Sequence, residues 1–332
     1  MKEFLRKNCT PLFNFIKHTR LLILFAGEGC PLVFNFRNKS ANNFYRQIIK
    51  FLVTPFMILK YFIHGKINDS TRNGLAIVLI IKNEAQYILE WLNFHIKQGV
   101  THFFIYDNES TDNLQEILQP FIAKKLVTYN RIPGRLRQTD AYNHAIYNYK
   151  HKFKYFAVID ADEFLFTPDN TEPDSLYNFI DNFMTHHKNA GGLGVNWLIF
   201  GSNGHETKPA GGVLKNFTRC AVKDFGPNHF IKTICDPMKV FSVFDAHTLL
   251  YYKNFINLDE NGNSIGDVVN ISRTKTVNFD KIRINHYFTK SKQEFMHKRA
   301  RGMADHNGIR NIQDFDSHDR NEVIDTEILS HI

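Results

Sequence analysis

The run Asp160-Ala161-Asp162-Glu163 sets two carboxylates two residues apart, directly after the apolar stretch Tyr155-Phe156-Ala157-Val158-Ile159. In extended backbone, residues i and i+2 project to one side, so both aspartates can address one cation. Hard oxygen ligands suit Mg²⁺ or Mn²⁺, which bind through one or two carboxylates plus substrate phosphates. Such a cation offsets charge building on a diphosphate leaving group. The competing reading is a strand end whose aspartates cap a turn or the next helix. Asp107 closes a second apolar run, Phe103-Phe104-Ile105-Tyr106. A carboxylate there can accept hydrogen bonds from a ribose hydroxyl or a base N–H. Its alternative is an Asx-turn, and Asp112 is read as the cap of the following helix. A third polar cluster, Lys82-Asn83-Glu84, follows Leu75–Ile81. Neither G-x-G-x-x-G nor G-x-x-x-x-G-K-[ST] is present, so a dinucleotide fingerprint and a P-loop are both excluded.

These clusters need a scaffold, and the intervening pattern supplies one. Leu75–Ile81 is a near-continuous β-branched run, as expected of a strand covered on both faces. Residues 85–98 carry Ile88, Leu92 and Ile96 at helical spacing. A strand over Thr101–Tyr106, a helix over Asp112–Ala123, a short strand over Leu126–Tyr129, a helix over 138–150 and a strand over Lys154–Ile159 follow. Alternating strands and helices predict an α/β domain with a mostly parallel sheet. Ligands of such sheets bind beyond the carboxyl ends of the strands, which is where all three polar clusters fall. Further on, Gly191–Phe200, Gly212–Cys220 and Lys239–Phe244 read as strands of a mixed region, and 291–302 reads as a basic helix.

Ile80-Ile-Lys-Asn-Glu84, Trp91-Leu-Asn-Phe-His95, Gly99-Val-Thr-His102, Tyr106-Asp-Asn-Glu-Ser-Thr-Asp112 and Ile159-Asp-Ala-Asp-Glu-Phe164 occur in that order. Together they resemble a GT-A glycosyltransferase of the family 2-like and family 92 type. Trp197-Leu-Ile-Phe-Gly-Ser-Asn-Gly-His205 is similar to that group's glycine-containing loop, and the stretch from Asn285-His-Tyr-Phe to Gly302 to its C-terminal basic motif. The resemblance covers roughly 74–302. It implies a GT-A, Rossmann-like sheet flanked by helices, a nucleotide-sugar donor (a UDP-sugar first), a divalent metal at Asp160 and Asp162, and transfer with inversion. It also implies that Lys82, Asn83, Glu84 and Asp107 lie on the nucleoside side. His286 is then a candidate to complete the metal shell, since imidazole suits Mn²⁺. Lys290, Lys298 and Arg301 are candidates to hold diphosphate oxygens, with Lys232 as a further one. An inverting transfer needs a general base near the acceptor hydroxyl. Glu206 is the first candidate and Asp236 the second, with Asp224, Asp245 and His247 also open. Trp197 is read as core rather than as a sugar-stacking platform.

The formal net charge is +8. Residues 1–72 hold 12 Lys/Arg against 3 Asp/Glu, and the remainder 29 against 30. The excess therefore belongs to an arm, which argues against a uniformly cationic nucleic-acid binder. Residues 1–73 form this basic, aromatic-rich helical arm, 74–302 the catalytic domain and 303–332 an acidic tail. Within the arm, Phe44–Phe62 mixes aromatics with positive charge and suits an anionic membrane surface. The competing reading is a helix packed on the domain. No run reaches the roughly 18–20 apolar residues of a spanning helix, and no cleavable leader is evident. Four scattered cysteines form no C-x-x-C pair and fit a reducing compartment. The expected location is cytoplasmic, peripheral on the inner face of the cytoplasmic membrane.

The expected function is metal-dependent, inverting transfer of a sugar to a glycan or lipid-linked glycan acceptor, in surface polysaccharide or lipopolysaccharide synthesis. The alternative class is a non-catalytic nucleotide-binding module that docks on membrane or partner. A nucleotidyltransferase would carry a glycine-rich phosphate loop near the first strand, which 77–84 lacks.

Overall fold

The computed structural model describes residues 71–169, 171–172, 174–265, 272–300 and 311–332. The arm up to residue 70 and Arg301 lie outside the described residues. In chain order the first elements are β1 (Leu75–Ile81), α1 (Ala85–Lys97), β2 (Val100–Asp107), α2 (Leu114–Ala123), β3 (Val127–Arg131), α3 (Gln138–Tyr149) and β4 (Tyr155–Val158). They follow the alternation expected from the sequence. The next are β5 (Glu163–Phe166), α4 (Ser175–His186), β6 (Ala190–Ile199), α5 (Val213–Asn216), β7 (Arg219–Cys220), β8 (Ile231–Cys235), β9 (Val240–Val243), β10 (Leu249–Tyr251), β11 (Ile256–Leu258), β12 (Arg283–His286), α6 (Lys292–Ala300), α7 (Ile312–His318) and β13 (Val323–Ile324).

The main sheet runs β3-β2-β1-β4-β8-β6-β12-β5, with β11 beside β6. Its first four strands are mutually parallel. β8 runs antiparallel to both β4 and β6, β12 is parallel to β6, and β5 is antiparallel to β12. The sheet is thus mixed, mostly parallel and flanked by helices. The carboxyl ends of β1 to β4, β6 and β12 and the starts of β5 and β8 all reach one edge.

Side-chain alternation explains why β1 is apolar throughout. Leu75, Ile77, Leu79 and Ile81 point into a core built with Ile88, Trp91 and Leu92 of α1 and Leu176 and Ile180 of α4. Ala76, Val78 and Ile80 point to the other face, against Ala141, Tyr142, Ala145 and Ile146 of α3. A strand covered on both sides has no polar face to show. Gly99 ends α1 at φ +85°, where a Cβ would come within 2.7 Å of Asp174 Oδ1, so the turn into β2 requires glycine there.

Two expectations are corrected. Residues 212–220 are not one strand: the Glu90 carboxylate accepts the N–H groups of Val213 and Leu214 at 2.7 and 3.2 Å, capping a helical turn and leaving only β7 extended. The strand expected over Lys239–Phe244 is present as β9, which joins β10 in a separate two-stranded ribbon. Residues 311–332, expected as a polar tail, pack on the domain. There Phe315 and Ile328 are buried, β13 pairs with β7, and Arg283 binds Asp325 and Glu327 at 2.8 and 3.1 Å.

Candidate active site

The chain leaves β4 at Val158 and turns at once: Glu163 N–H donates to Asp160 C=O at 3.1 Å, and Asp160 N–H to Glu163 Oε2 at 2.8 Å. The extended geometry expected for Asp160 and Asp162 is therefore replaced by a turn, and the two carboxylates meet different cations. Asp160 Oδ2 binds Lys232 Nζ at 2.7 Å, while its Oδ1 accepts from Gln138 and Tyr142 of α3 at 3.2 and 3.3 Å. Asp162 is paired with Lys298 of α6, whose ammonium also donates to Phe288 C=O at 3.0 Å. His286, at the end of β12, brings Nε2 to 3.6 Å from Asp162 Oδ2 and Nδ1 to 3.9 Å from Glu163 Oε1. Lys232 can reach this edge because β8 starts there, one residue from the Val158–Thr233 pairing with β4.

The electrostatics follow from burial and pairing. Burial alone would raise the Asp160 carboxyl, but Lys232 outweighs it and holds it below the ordinary range. Asp162 is likewise driven well below that range, with Lys298 and His286 outweighing burial. Burial pushes Glu163 well above the usual carboxylate range, against the opposing pull of Lys232. Burial lowers His286 to about 4, leaving a neutral imidazole.

Among the described residues, no three His, Cys, Asp or Glu side chains converge as a preformed metal cage. The donors that do fit a cation are Asp162 Oδ2 and His286 Nε2. They face each other at a distance too long for a hydrogen bond, and His286 Nδ1 and Glu163 Oε1 are buried without hydrogen-bond partners. One oxygen and one imidazole nitrogen suit Mn²⁺ or Mg²⁺, which leave remaining positions to water and phosphate. Asp160, paired with Lys232, lies within electrostatic reach of both Asp162 and His286.

Beside the carboxylates lies a cavity of about 650 Å³, lined in part by Asn83, Glu84, Asp112, Lys290, Glu294 and Lys298. The expected diphosphate-side residues Lys290 and Lys298 thus share a cavity with Asn83 and Glu84. Asn83 sits at φ 52°. Its Oδ1 accepts from Thr111 N–H at 2.7 Å and its own N–H donates to Ser110 Oγ at 3.0 Å, tying two strand-end loops together. Asp107 is buried, taking Ser110 N–H at 2.8 Å and Tyr129 O–H at 2.5 Å. Its carboxylate closes an Asx-type turn at the carboxyl end of β2, the edge on which the nucleoside contact is expected. Asp112 accepts Ala85 N–H at 2.9 Å as well as Leu114 N–H at 3.3 Å, so it serves α1 and α2 together. Lys82 is half-buried in the loop beyond β1.

Among the base candidates, the Asp245–His247 loop borders the cluster: Ala246 C=O accepts from Lys232 Nζ at 3.1 Å, and His247 lies within electrostatic reach of Lys232 and Asp160. Asp236, the second base candidate, follows β8 at the opposite sheet edge, where Arg72 Nη1 holds it at 2.7 Å. Glu206 is on the site's edge but exposed, 3.5 Å from Lys292. Asp245 closes a turn onto His247 and Thr248 N–H. Trp197 is half-buried and stands beside the cluster, its ring centroid 4.4 Å from that of His286.

Sequence reasoning passed over Gln138, Tyr142 and Glu163 as site residues. Glu163 was legible as the fourth member of the acidic run. It also passed over the roles of Trp91 and His95, whose i, i+4 spacing on α1 was visible. Trp91 Nε1 donates to Glu163 C=O at 2.7 Å and Leu165 N–H donates to His95 Nε2 at 3.2 Å, pinning β5 behind the acidic turn.

The family model for glycosyltransferase family 92 matches residues 78–322, nearly three quarters of the chain. The chain belongs to glycosyltransferase family 92. The match extends past residue 302 into the segment that packs through β13. A family 92 protein of Oryza sativa subsp. japonica is 27% identical over 147 residues, covering 44% of this chain and 24% of that protein. One from Arabidopsis thaliana is 24% identical over 156 residues, covering 45% and 27%. The matched segments thus span about a quarter of these relatives. Among solved structures, S. aureus TarS 1–349 aligns at TM-score 0.38 and 16% identity, covering 68% of this chain and 64% of that one. The mannosyltransferase PcManGT from Pyrobaculum calidifontis, in complex with GDP-Man and Mn²⁺, aligns at TM-score 0.30 and 18% identity, covering 46% and 43%.

Proposed function

We propose that this family 92 protein is a GT-A-type inverting glycosyltransferase, moving a sugar from a nucleotide-sugar donor to a hydroxyl of a glycan acceptor. The observation that carries the reading is the convergence of Asp160, Asp162, His286, Lys232 and Lys298 beside a cavity that also holds Lys290. Asp162 and His286 would hold a divalent cation. Bound there, it supplies positive charge against the departing diphosphate. Lys290 and Lys298 line the cavity where phosphate oxygens would sit and stabilise the same charge. Lys232 keeps Asp160 ionised, and Gln138 and Tyr142 fix that carboxylate's orientation. Glu206, exposed on the loop after β6, is the carboxylate that a large acceptor reaches at this edge, and it is proposed as the base. The acceptor is proposed to be a surface-glycan precursor, lipid-linked because the arm before residue 73 suits an anionic membrane surface.

A panel of nucleotide sugars, UDP-sugars first, incubated with Mn²⁺ and read as released nucleoside diphosphate, tests the reading. Turnover of one donor that is lost in Asp162→Asn is the expected result. Binding of nucleotide with no turnover or donor hydrolysis across the panel would favour the non-catalytic alternative.

A further inference from the structure

Three lysines are buried at the catalytic edge: Lys232, Lys290 and Lys298 are 1%, 4% and 8% exposed. Two of them are neutralised on the spot, Lys232 by Asp160 and Lys298 by Asp162. Lys290 is different. Among the described residues, no carboxylate stands within ion-pair distance of its ammonium and no acceptor within hydrogen-bond reach. Instead its Nζ lies 4.2 Å from the centroid of the Tyr87 ring. Asp162 lies within electrostatic reach of this ammonium but is paired with Lys298; drawing a charge from water without a direct partner is costly, and an aromatic face recovers only about 0.5–2 kcal/mol of that. The backbone adds to the cost, because Lys290 sits at φ 51°, a left-handed conformation that glycine adopts far more readily. Both costs fall on one residue that lines the cavity, the pattern expected where a charge is kept for a ligand.

Tyr87 is itself fixed. Its hydroxyl donates to Glu294 Oε1 at 2.5 Å. Glu294 is held in turn by Ser291 Oγ at 2.5 Å and by Ser291 N–H at 3.1 Å. This joins the first turn of α1 to the first turn of α6, with Lys290 immediately ahead of Ser291. Lys208 Nζ lies 4.9 Å from the same ring centroid and binds Gln86 Oε1 at 2.7 Å, so the ring is braced from the exposed loop as well.

We propose that Tyr87 is a positioning residue for donor binding: its ring carries the Lys290 ammonium over the cavity, and its bond to Glu294 sets the ring's place, so that Lys290 meets the donor's diphosphate. The inference rests on the donor reading above.

The test is calorimetric binding of uridine and guanosine diphosphates with Mn²⁺ to the full chain and its variants. Tyr87→Leu removes the ring, Tyr87→Phe keeps it without the hydroxyl, and Lys290→Met removes the charge. Affinity is expected to fall about tenfold in Tyr87→Leu and in Lys290→Met, with the double variant no weaker than Lys290→Met alone. Tyr87→Phe is expected within about threefold of the wild type, the loss of one neutral hydrogen bond. With a turned-over donor, Tyr87→Leu and Lys290→Met are expected to lower kcat/KM by the same factor with the melting temperature of Tyr87→Leu held, whereas a loosened fold lowers the melting temperature as well. Lys290→Gly provides a variant free of folding losses: it relieves the left-handed strain, so its melting temperature holds or rises while affinity drops as in Lys290→Met. Wild-type affinity in Tyr87→Leu or Lys290→Gly overturns the proposal. So does a double variant whose loss is the product of the single losses, or a Tyr87→Phe loss as large as that of Tyr87→Leu. A wild-type chain that binds neither diphosphate overturns the donor reading, and this inference with it.

Discussion

Replacing Asp162 with Asn keeps the side chain's shape and removes the charge faced by Lys298 and His286. Sugar transfer at saturating Mn²⁺ is expected to drop by about a hundredfold or more, measured as nucleoside diphosphate released; transfer at the wild-type rate would rule out this assignment. Lys232→Met makes a different demand. It strips Asp160 of its cation; the lysine is buried but the carboxylate side chain is 33% exposed, so the cost falls below the about 3–5 kcal/mol of a fully buried pair. Thermal melts should show a fall of several degrees, partly restored by adding Asp160→Asn; an unchanged midpoint would show that the pair is not buried in solution. At this scale the acids were legible in the sequence, because their position at strand ends is a local property. Their partners were not. Asp107 carries the same residue type at the same kind of strand end as Asp160, yet its oxygens are taken by Ser110 and Tyr129.

At the scale of elements, α1 and β5 act together. His95 donates from Nδ1 to Trp91 C=O at 2.9 Å while Nε2 accepts Leu165 N–H at 3.2 Å, an arrangement that only a neutral imidazole can hold. Burial lowers its pKa from 6.5 to about 3. The unfolded chain therefore binds a proton between those values and the folded chain does not. The contribution of His95 to stability is complete above pH 6.5 and declines as pH falls toward 3, by up to about 1.4 kcal/mol per pH unit. His95→Gln should flatten the fall in melting temperature between pH 7 and pH 4 relative to the wild type; parallel curves would remove His95 from the acid sensitivity. The helix itself was readable from Ile88, Leu92 and Ile96. Its bonds to β5 were not, since they join residues 70 or more positions apart. The same limit explains residues 212–220, where a carboxylate from α1 turned an expected strand into a helical turn.

For the whole molecule, the charge division makes a prediction about place. The arm carries the basic excess ahead of a near-neutral domain. Among the described residues, no helix is long and apolar enough to cross a membrane. The full chain should sediment with vesicles containing phosphatidylglycerol and not with neutral phosphatidylcholine vesicles, and added salt should release it. Equal binding to both, or none to either, would remove the arm's proposed membrane role and leave it to pack on the domain.

The sequence by itself determined the alternation of strands and helices, the burial of β1 on both faces, and the edge on which the polar clusters Lys82–Glu84, Asp107–Asp112 and Asp160–Glu163 fall. These follow from periodicity and chain direction, which are properties of neighbouring residues. Only the tertiary structure decided which acid faces which cation. Lys298 reaches Asp162 across 136 positions and Lys232 reaches Asp160 across 72, and ion pairing depends on distance in space, which spacing along the chain does not encode. It also sent Asp236 to the opposite edge, where Arg72 holds it, because β8 runs antiparallel between two parallel strands.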